Sequence, residues 1–511
     1  MKDKPKIDAL FQNYLYLKQI LPSSFQCRRS KRLRYFFILL ILFFIYQICP
    51  STQHISELTF QQRIVHFDLK GAPPKLEYFQ KLLPFIKSLG FNTILMEYED
   101  FFPYSGELQI FRAANAYSSK TLSEILRLAA DNNLEVIPLI QTFGHLQFVL
   151  KHEKFAHLRE ISKNDDTICP SEPDSIQLIQ EMLRQIQSAH PKSKTIHIGF
   201  DEAWSIGKDE RCQNKLKTDF GYSLERLKLS HISTVARFAK DILGYKSVMA
   251  WDDLLRKIPI NLLTEYQIGQ YITPVIWNYD LDVSNSNKFP NGMFERYTKI
   301  FPKLIFGSVF KGAENGNETF VNIDRYFTNL KSFFNLYEIK KDKLEGRISG
   351  IVLTGWQRFW HGTDLCEILP EGIPSLVTEA IYMNNPGLRT DRNGVTEKVF
   401  EILKCKTKIL KPTEFYNSLY IPRTEGIYAY CNFPGVDVYA LIEQLHFLQW
   451  KTKQTAPSKI STLKTEQKIL QDEFREKLSK YFYNDTVEEF IKQNIDSIIP
   501  KSLLLTETNE L

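Results

Sequence analysis

The sequence predicts an α/β protein: a (β/α)8 TIM barrel with a C-terminal mainly helical extension and an N-terminal transmembrane helix. Two observations predict the barrel. Apolar runs rich in β-branched residues alternate with amphipathic stretches from residue 63 onward, which is typical of parallel strands joined by helices. Eight such pairs occur before residue 388, which favours a closed barrel over an open doubly wound sheet. A single apolar run near the N terminus predicts the membrane helix.

The N-terminal segment concentrates the positive charge of the chain. Residues 1–34 contain nine Lys or Arg and two acids, and the rest of the chain has 56 basic residues against 57 acidic ones. Because this remaining part is almost neutral, it lacks the basic face that a nucleic-acid-binding domain needs, and we expect no nucleic-acid partner. We interpret residues 1–34 as a basic cytoplasmic tail.

The apolar run begins at Tyr35 and extends to Cys49 without a charged residue. A cleaved signal peptide is the alternative, but the preceding basic region is long and the end of the run is a poor cleavage site. We therefore predict a signal-anchor transmembrane segment at 35–49, with the basic side cytoplasmic and the rest lumenal. The short span suits the thin membranes of the Golgi or ER, and glycosylation sequons at Asn317 and Asn484 agree with a single-pass type II protein.

A lumenal spacer at 50–62 precedes the barrel, which we place at 63–388. The stretch Leu69–Pro74 lacks a Gly-rich phosphate-binding fingerprint, so a dinucleotide site is excluded. The strands are predicted at Arg63–Asp68, Asn92–Glu97, Glu135–Ile140, Thr195–Gly199, Lys246–Trp251, Thr273–Trp277, Leu304–Ser308 and Ile348–Thr354. Helices between them are predicted at Lys75–Leu89, Lys120–Asn132, Asp174–Ala189, Leu224–Leu243 and Ile323–Glu338.

Residues 389–511 are predicted to form the helical extension, with helices at Thr396–Ile409, Asp437–Lys451 and Lys464–Phe482. Five cysteines follow the anchor, and this odd number leaves at least one unpaired or paired between chains. Their spacing is not that of a metal site, and no metal ion or cofactor is expected. The cysteine pairing and the oligomeric state stay open.

Polar and aromatic residues gather where the predicted strands end. In a barrel of this kind, functional residues lie at the carboxyl ends of the strands and in the loops that follow them. We therefore expect these groups to converge on one mouth of the barrel. They are Asp68 with Lys70, Glu97–Asp100, Gln141–His145, Asp201 with Glu202, Trp251–Asp253, Trp277–Tyr279 and Trp356–Arg358.

The adjacent acids Asp201 and Glu202 are the sharpest chemical feature. Cleavage of a glycosidic bond needs a proton donor for the leaving oxygen and a group that stabilises positive charge at the anomeric carbon. Ordinary retaining glycosidases hold two carboxyl groups about 5–5.5 Å apart across the bond, which neighbouring residues do poorly. Adjacent acids suit a substrate that supplies its own 2-acetamido oxygen as the nucleophile. An isolated Asp-Glu pair before a helix, however, often serves only as a cap.

The context of this pair carries a family resemblance. The segment His197–Glu202 reads H-x-G-x-D-E, which is the signature of the family 20 glycoside hydrolases, the β-N-acetylhexosaminidases. The chain resembles the hexosaminidase D branch in particular, over the barrel but not over the tail. Four other motifs carry the resemblance: Val65–Pro74, Glu97–Tyr104, Gln141–His145 and Thr354–Arg358.

The resemblance implies a retaining exo-β-N-acetylhexosaminidase that releases terminal non-reducing β-linked GlcNAc or GalNAc from glycans through an oxazolinium intermediate. Glu202 would be the general acid and base, Asp201 would hold the acetamido N–H, and Tyr279 would donate to the acetamido carbonyl. His145 would belong to the network behind the carboxylates, and His197 would support the barrel interior. The substrate-binding candidates are Trp251, Trp277, Trp356, His145, Asp68 and Glu97.

Two departures from the family pattern concern the sugar hydroxyls. Lysosomal relatives have an arginine after strand one and an acid two residues after the last tryptophan, where this chain has Lys70 and Arg358. The preference between gluco and galacto sugars therefore does not transfer. Asp68, Glu97 and Glu99 are alternative ligands for the hydroxyls.

Three other functions are weighed against this one. A catalytically inactive lumenal sugar-binding barrel is disfavoured because both acids are present. A chitinase-like glycosidase would space its acids as D-x-x-D-x-D-x-E, which the fourth predicted strand does not. An interaction protein acting through the helical extension is neither supported nor excluded by the sequence.

Overall fold

The computed structural model describes residues 58–406, 424–454 and 460–499. From Leu58 onward the chain groups into one compact unit. The predicted tail and anchor, and most of the predicted spacer, lie outside the described residues. Among the helices that are described, none combines the length and the apolar character that a membrane crossing requires.

Parallel strands close into a barrel, which confirms the predicted barrel fold. Each barrel strand pairs with the next one along the chain, and the last pairs back to the first. Two further strands form an antiparallel hairpin between the third and fourth barrel strands. In chain order the strands are β1 Gln62–Asp68, β2 Thr93–Glu97, β3 Glu135–Leu139, the hairpin β4 Arg159–Ile161 and β5 Asn164–Ile168, β6 Thr195–His197, β7 Ser247–Trp251, β8 Ile272–Trp277, β9 Leu304–Lys311 and β10 Ile348–Gly355.

Side chains fill the interior of the barrel, so any cavity must lie at one of its ends. Trp277, at the end of β8, and Trp356, just after β10, pack on this inner core from the carboxyl ends of the strands. The floor at that end is therefore aromatic. The inner core consists of Ile64, Leu95, Ile137, Leu139, Met249, Trp251, Val275, Ile305 and Val352.

Helices surround the barrel close to their predicted positions. Between the strands they are α1 Leu76–Ser88, α2 Ser119–Asp131, α3 Gln147–Leu150, α4 Pro173–Ala189, α5 Glu210–Thr218, α6 Leu224–Arg237, α7 Ile260–Glu265, α8 Ile268–Tyr271, α9 Met293–Ile300, α10 Ile323–Ile339 and α11 Lys341–Leu344. The helix predicted at Leu224–Leu243 is α-helical to Arg237 and continues as a π-helical turn, Phe238–Ile242. Short 3-10 helices lie at Glu99–Phe101, Gly106–Phe111, Glu153–Leu158 and Val283–Asn285.

The chain after β10 is mainly helical, as predicted. Its helices are α12 Leu369–Asn384, α13 Arg392–Ile402, α14 Val436–Gln454, α15 Ile460–Leu478 and α16 Asn484–Asn494, with 3-10 helices at Pro386–Leu388 and Thr424–Tyr430. Helix α12 is buried along nearly its whole length because it contacts β9, β10 and α14. Helix α16 reaches the loop after β1, where the Thr486 hydroxyl donates to the Gly71 carbonyl at 2.7 Å. The boundary at residue 388 stays a prediction.

The structure gives one pairing for the cysteines that it describes. A disulfide joins Cys405 to Cys431. Cys169, Cys212 and Cys366 are buried thiols. These three agree with the expectation that an odd number leaves at least one cysteine unpaired.

Candidate active site

Strand β6 was predicted to extend to Gly199 but ends at His197, because the backbone turns at the glycine. Gly199 has a φ of +64°, and a Cβ there would lie 2.0 Å from Gln141 Oε1. Only glycine combines this backbone conformation with so close an approach. The Gly199 N–H donates to His197 Nδ1 at 3.0 Å. His197 is buried inside the barrel against Trp251, and this burial lowers its pKa to about 3.

Asp201 and Glu202 line the same cavity although they are neighbours in sequence. In an extended strand, successive side chains point to opposite faces. The backbone at Glu202 is left-handed, with a φ of 48°, and this departure from extended geometry allows both carboxylates to face one side. The Glu202 N–H donates to Asp253 Oδ2 at 3.0 Å, which stabilises a backbone conformation that costs about 1–3 kcal/mol in a residue other than glycine.

The cavity lies at the carboxyl ends of the strands and has a volume of about 280 Å³. The Asp201 side chain is 9% exposed and the Glu202 side chain is 31% exposed. Glu202 is therefore the acid that solvent and a leaving group reach more easily. The structure brings seven of the predicted site residues to the wall: His145, Asp201, Glu202, Trp251, Trp277, Tyr279 and Trp356.

His145 holds the two acids together. Its Nε2 atom lies 3.2 Å from Glu202 Oε2 and 3.4 Å from Asp201 Oδ2. Burial disfavours the charged ring, but the adjacent carboxylates outweigh it and raise the pKa of His145 to about 9. The ring is therefore a cation at neutral pH. Its loop can approach this closely because of Gly144, where a Cβ would lie 2.3 Å from the Asp201 carbonyl oxygen.

Asp201 is a buried acid with a free acceptor atom. Burial raises the pKa of its carboxyl to about 7, and the neighbouring Asp253 and Glu202 add to the rise while His145 opposes it. Its Oδ1 atom is buried and has no hydrogen-bond partner among the residues that the structure describes. An unsatisfied buried acceptor is costly, so this atom is suited to an N–H group that a ligand brings.

The aromatic wall is held by a hydrogen bond between its members. The Trp356 indole N–H donates to the Tyr279 hydroxyl at 3.0 Å, which leaves the tyrosine proton for another acceptor. Trp277 and Tyr279 pack with ring centroids 5.1 Å apart, and the Trp277 indole N–H donates to Asp253 Oδ1 at 3.2 Å. These contacts fix a rigid pocket with apolar faces, which suits the C–H face and the acetyl methyl of a sugar.

Asp68 and Glu97, two of the three predicted hydroxyl ligands, lie behind the wall and not on it. Both contact the buried Lys70 ammonium, at 3.2 Å and 3.3 Å, and Glu99 lies 3.6 Å from it. Burial alone would lower the pKa of Lys70, but these three acids outweigh it and raise the pKa well above its usual value. The Lys70 side chain lines the cavity, and its Nζ atom lies 5.3 Å from the Trp356 ring centroid. The geometry thus favours Lys70 over the two acids as the direct contact.

Arg358 lines the cavity, and an acid of the C-terminal extension neutralises its charge. Its Nη2 atom donates to Glu489 Oε2 in α16 at 2.7 Å. The two residues are 131 positions apart in the sequence, so local sequence patterns do not reveal this ion pair. The extension therefore supports one side of the cavity.

Two residues without a role in the sequence analysis belong to the site. Asp253 accepts hydrogen bonds from Glu202 and Trp277, and burial raises the pKa of its carboxyl to about 6. It was expected at the barrel mouth, two residues after the strand-end Trp251, but without an assigned role. Trp360 stacks on the His145 ring with centroids 5.0 Å apart, and its irregular loop carries no comparable signal.

Within the described part of the chain, three groups of acids, histidines and cysteines are close enough to share a metal ion. One consists of His145, Asp201 and Glu202. The other two groups are Glu99 with Asp100 and His361, and Glu160 with Cys169 and Cys212.

Comparisons with known proteins show which proteins this chain is similar to. The sequence profile of glycosyl hydrolase family 20, catalytic domain, matches residues 102–292. Hexosaminidase D of Homo sapiens is 34% identical over 484 residues, which cover 88% of this chain and 95% of that protein. Hexosaminidase D of Bos taurus is 41% identical over 315 residues, which cover 61% of this chain and 89% of that protein. A solved β-N-acetylhexosaminidase from Bacteroides fragilis NCTC 9343 aligns with a TM-score of 0.49 at 15% identity, over 67% of this chain and 71% of that one.

Proposed function

The chain belongs to family 20 of the glycosyl hydrolases, and we propose that it is a retaining exo-β-N-acetylhexosaminidase that acts by substrate assistance. Its substrates would be glycans that end in β-linked GlcNAc or GalNAc at the non-reducing terminus. One observation carries the proposal: adjacent Asp201 and Glu202 line one cavity and share His145 as a partner. Acids arranged in this way are poorly suited to flank the scissile bond as an acid and a separate nucleophile.

In the first step, Glu202 donates its proton to the glycosidic oxygen while the acetamido oxygen attacks the anomeric carbon. The bond to the leaving sugar breaks and an oxazolinium ring forms. Asp201 Oδ1 accepts the acetamido N–H and stabilises the positive charge of this ring, which the free acceptor atom supports. The Tyr279 hydroxyl donates to the acetamido oxygen and orients it for the attack, while Trp356 holds the hydroxyl in place.

In the second step, the Glu202 carboxylate takes a proton from a water molecule that attacks the same anomeric carbon. The oxazolinium ring opens and the acetamido group is restored. Two inversions at one carbon give net retention of configuration. The partial exposure of Glu202 lets it serve the leaving group and the water in turn.

An assay of the purified full-length protein tests this proposal against a catalytically inactive sugar-binding barrel. We expect hydrolysis of 4-nitrophenyl N-acetyl-β-glucosaminide or its galacto epimer, and no comparable hydrolysis of the 2-hydroxy glucoside. E202Q should lose turnover and still bind a thiazoline mimic of the cyclic intermediate. Binding of the mimic by the wild type without turnover of either epimer would favour the inactive barrel. Equal turnover of the 2-hydroxy glucoside would refute substrate assistance.

We also propose that the catalytic body is lumenal and that residues 35–49 anchor it in a Golgi or ER membrane. Asn317 and Asn484 are exposed, as glycosylation requires, and a disulfide such as Cys405–Cys431 is typical of oxidising compartments. An endoglycosidase should increase the electrophoretic mobility of the cell-derived protein. The double variant N317Q/N484Q should show no such change. Recovery of an unglycosylated wild type in the cytosolic fraction would contradict the proposal.

A further inference from the structure

Two thiols lie against each other behind the active-site loops. Cys169 follows the hairpin strand β5, and Cys212 lies in the first turn of α5. Their sulfur atoms are 3.5 Å apart, although 43 residues separate them in the sequence. Both side chains are fully buried. A disulfide bond has an S–S length of about 2.05 Å, so a shift of about 1.5 Å would join them.

A carboxylate is placed to take a proton from one of these thiols. The Cys212 thiol donates to Glu160 Oε2 at 3.1 Å. The other oxygen, Oε1, accepts the backbone N–H groups of Lys208 and Asp209 at 2.7 Å and 3.0 Å, which fixes the carboxylate in this orientation. Contact with Cys212 and then burial raise the pKa of the Cys169 thiol, and Cys212 is the thiol that contacts the carboxylate.

The two thiols lie at the contact between the connection from β3 to β6 and the start of α5, which we call the seam. Arg211, beside Cys212, donates to Glu172 Oε2 and to the carbonyl oxygens of His157 and Arg159 on the hairpin side. Together with the Glu160 contacts, these bonds join the connection between β3 and β6 to the start of α5.

Each side of the seam continues into the active site. On one side, the Leu146 N–H donates to the Asp166 carbonyl of β5 at 2.9 Å, directly after His145. On the other side, the loop that runs from β6 to α5 carries Asp201 and Glu202. A covalent link at the seam would therefore restrain the relative position of His145 and both acids.

We propose that Cys169 and Cys212 form a disulfide that joins the loop carrying His145 to the loop carrying the catalytic acids. The oxidant is a small-molecule disulfide such as oxidised glutathione, which acts while the seam is open. Cys212 first loses its proton to Glu160, and its thiolate attacks one sulfur of the oxidised glutathione to form a mixed disulfide. The first glutathione leaves as a thiolate and takes up that proton. The Cys169 sulfur then attacks the Cys212 sulfur, and its proton passes to the second glutathione as that group leaves. Two protein thiols are oxidised and one disulfide is reduced to two thiols.

Peptide mapping of the purified full-length protein tests the proposal. The protein is incubated with oxidised glutathione or with dithiothreitol, unfolded in iodoacetamide and digested without reduction. We expect a peptide pair linked through Cys169 and Cys212 only after oxidation. The rise in melting temperature from the reduced to the oxidised state should be about 4 °C larger in the wild type than in C212S, because Cys405–Cys431 contributes equally to both.

C366S is the matched control, since it also removes a buried thiol. It should keep both the linked peptide and the thermal shift. E160Q should form the link about tenfold more slowly, because it keeps an acceptor for the backbone N–H groups and loses the base. Recovery of Cys169 and Cys212 as separate alkylated peptides after oxidation would overturn the proposal. One equivalent of zinc held by both cysteines in the purified protein would do the same.

Discussion

His145 Nε2 lies 3.2 Å from Glu202 Oε2, and the same nitrogen lies 3.4 Å from Asp201 Oδ2. One cation thus offsets the repulsion between two adjacent acids. Without it, the buried Asp201 would ionise less readily, and ionised Asp201 is the form that stabilises an oxazolinium ring. The pair of contacts makes His145 a positioning residue whose effect should appear in the pH dependence of the reaction.

The first prediction concerns the acidic limb of kcat/KM. Burial raises the pKa of Asp201 to about 7, and the ionised form is lost as the pH falls through that value. His145 lowers this pKa, so H145Q should move the acidic limb to higher pH and reduce kcat at neutral pH about 100-fold. The measurement is a pH profile of kcat/KM on the 4-nitrophenyl substrate.

D253N is the opposing control for that profile. Asp253 raises the pKa of Asp201, so its neutralisation should move the acidic limb to lower pH. An asparagine oxygen can still accept a hydrogen bond from the Glu202 N–H or from Trp277. If both variants moved the limb in the same direction, the electrostatic account of Asp201 would be wrong.

The second prediction concerns Tyr279. Y279F removes the proposed donor to the acetamido oxygen and should lower kcat about 100-fold with little change in KM, because the bond strengthens in the transition state. Y78F is the control, since the Tyr78 hydroxyl is hydrogen-bonded to the Pro434 carbonyl outside the cavity. Steady-state kinetics of both variants measure kcat and KM separately. A larger KM with an unchanged kcat would assign Tyr279 to ground-state binding only.

The third prediction concerns stability. Lys70 is the cation that neutralises Asp68, Glu97 and Glu99, all buried. K70M should lower the free energy of unfolding by about 3–5 kcal/mol, because it removes the buried ammonium that all three carboxylates contact. Urea denaturation of the full-length protein measures the loss.

K154M is the matched surface control for this lysine. Lys154 lies 3.0 Å from Glu107, but both side chains are at least half exposed, and its loss should cost less than about 1 kcal/mol. The second change in K70M/E97Q should restore part of the stability by removing the charge of one of the three buried acids that lose the lysine contact. An equal loss in K70M and K154M would contradict the assignment of Lys70 as a buried counter-ion.

The barrel was predictable because its signals are local. Each strand reads as a short β-branched run, and the alternation with amphipathic helices indicates parallel pairing. The strand ends also located most of the site, since Asp201, Trp251 and Trp277 follow or close their strands. The end of β6 was placed too late because the φ of Gly199 does not show in a hydropathy pattern.

The rest of the site depends on contacts that are distant in sequence. Arg358 departs from the family pattern, and only the fold shows that Glu489 of α16 compensates it. Asp68 and Glu97 lie at the ends of adjacent strands, and this position suggested that they bind the sugar hydroxyls. Their pairing with Lys70 turns them away from the cavity, and no periodicity reveals which of two strand-end groups points inward.

The central claim is that the acetamido oxygen of the substrate attacks the anomeric carbon. A series of 4-nitrophenyl glycosides with N-acetyl, N-fluoroacetyl, N-difluoroacetyl and N-trifluoroacetyl groups tests it most directly, since each fluorine makes that oxygen a poorer nucleophile. The account predicts that kcat falls at every step of the series with the wild-type enzyme. A kcat that stays the same from the acetyl to the trifluoroacetyl compound would contradict it.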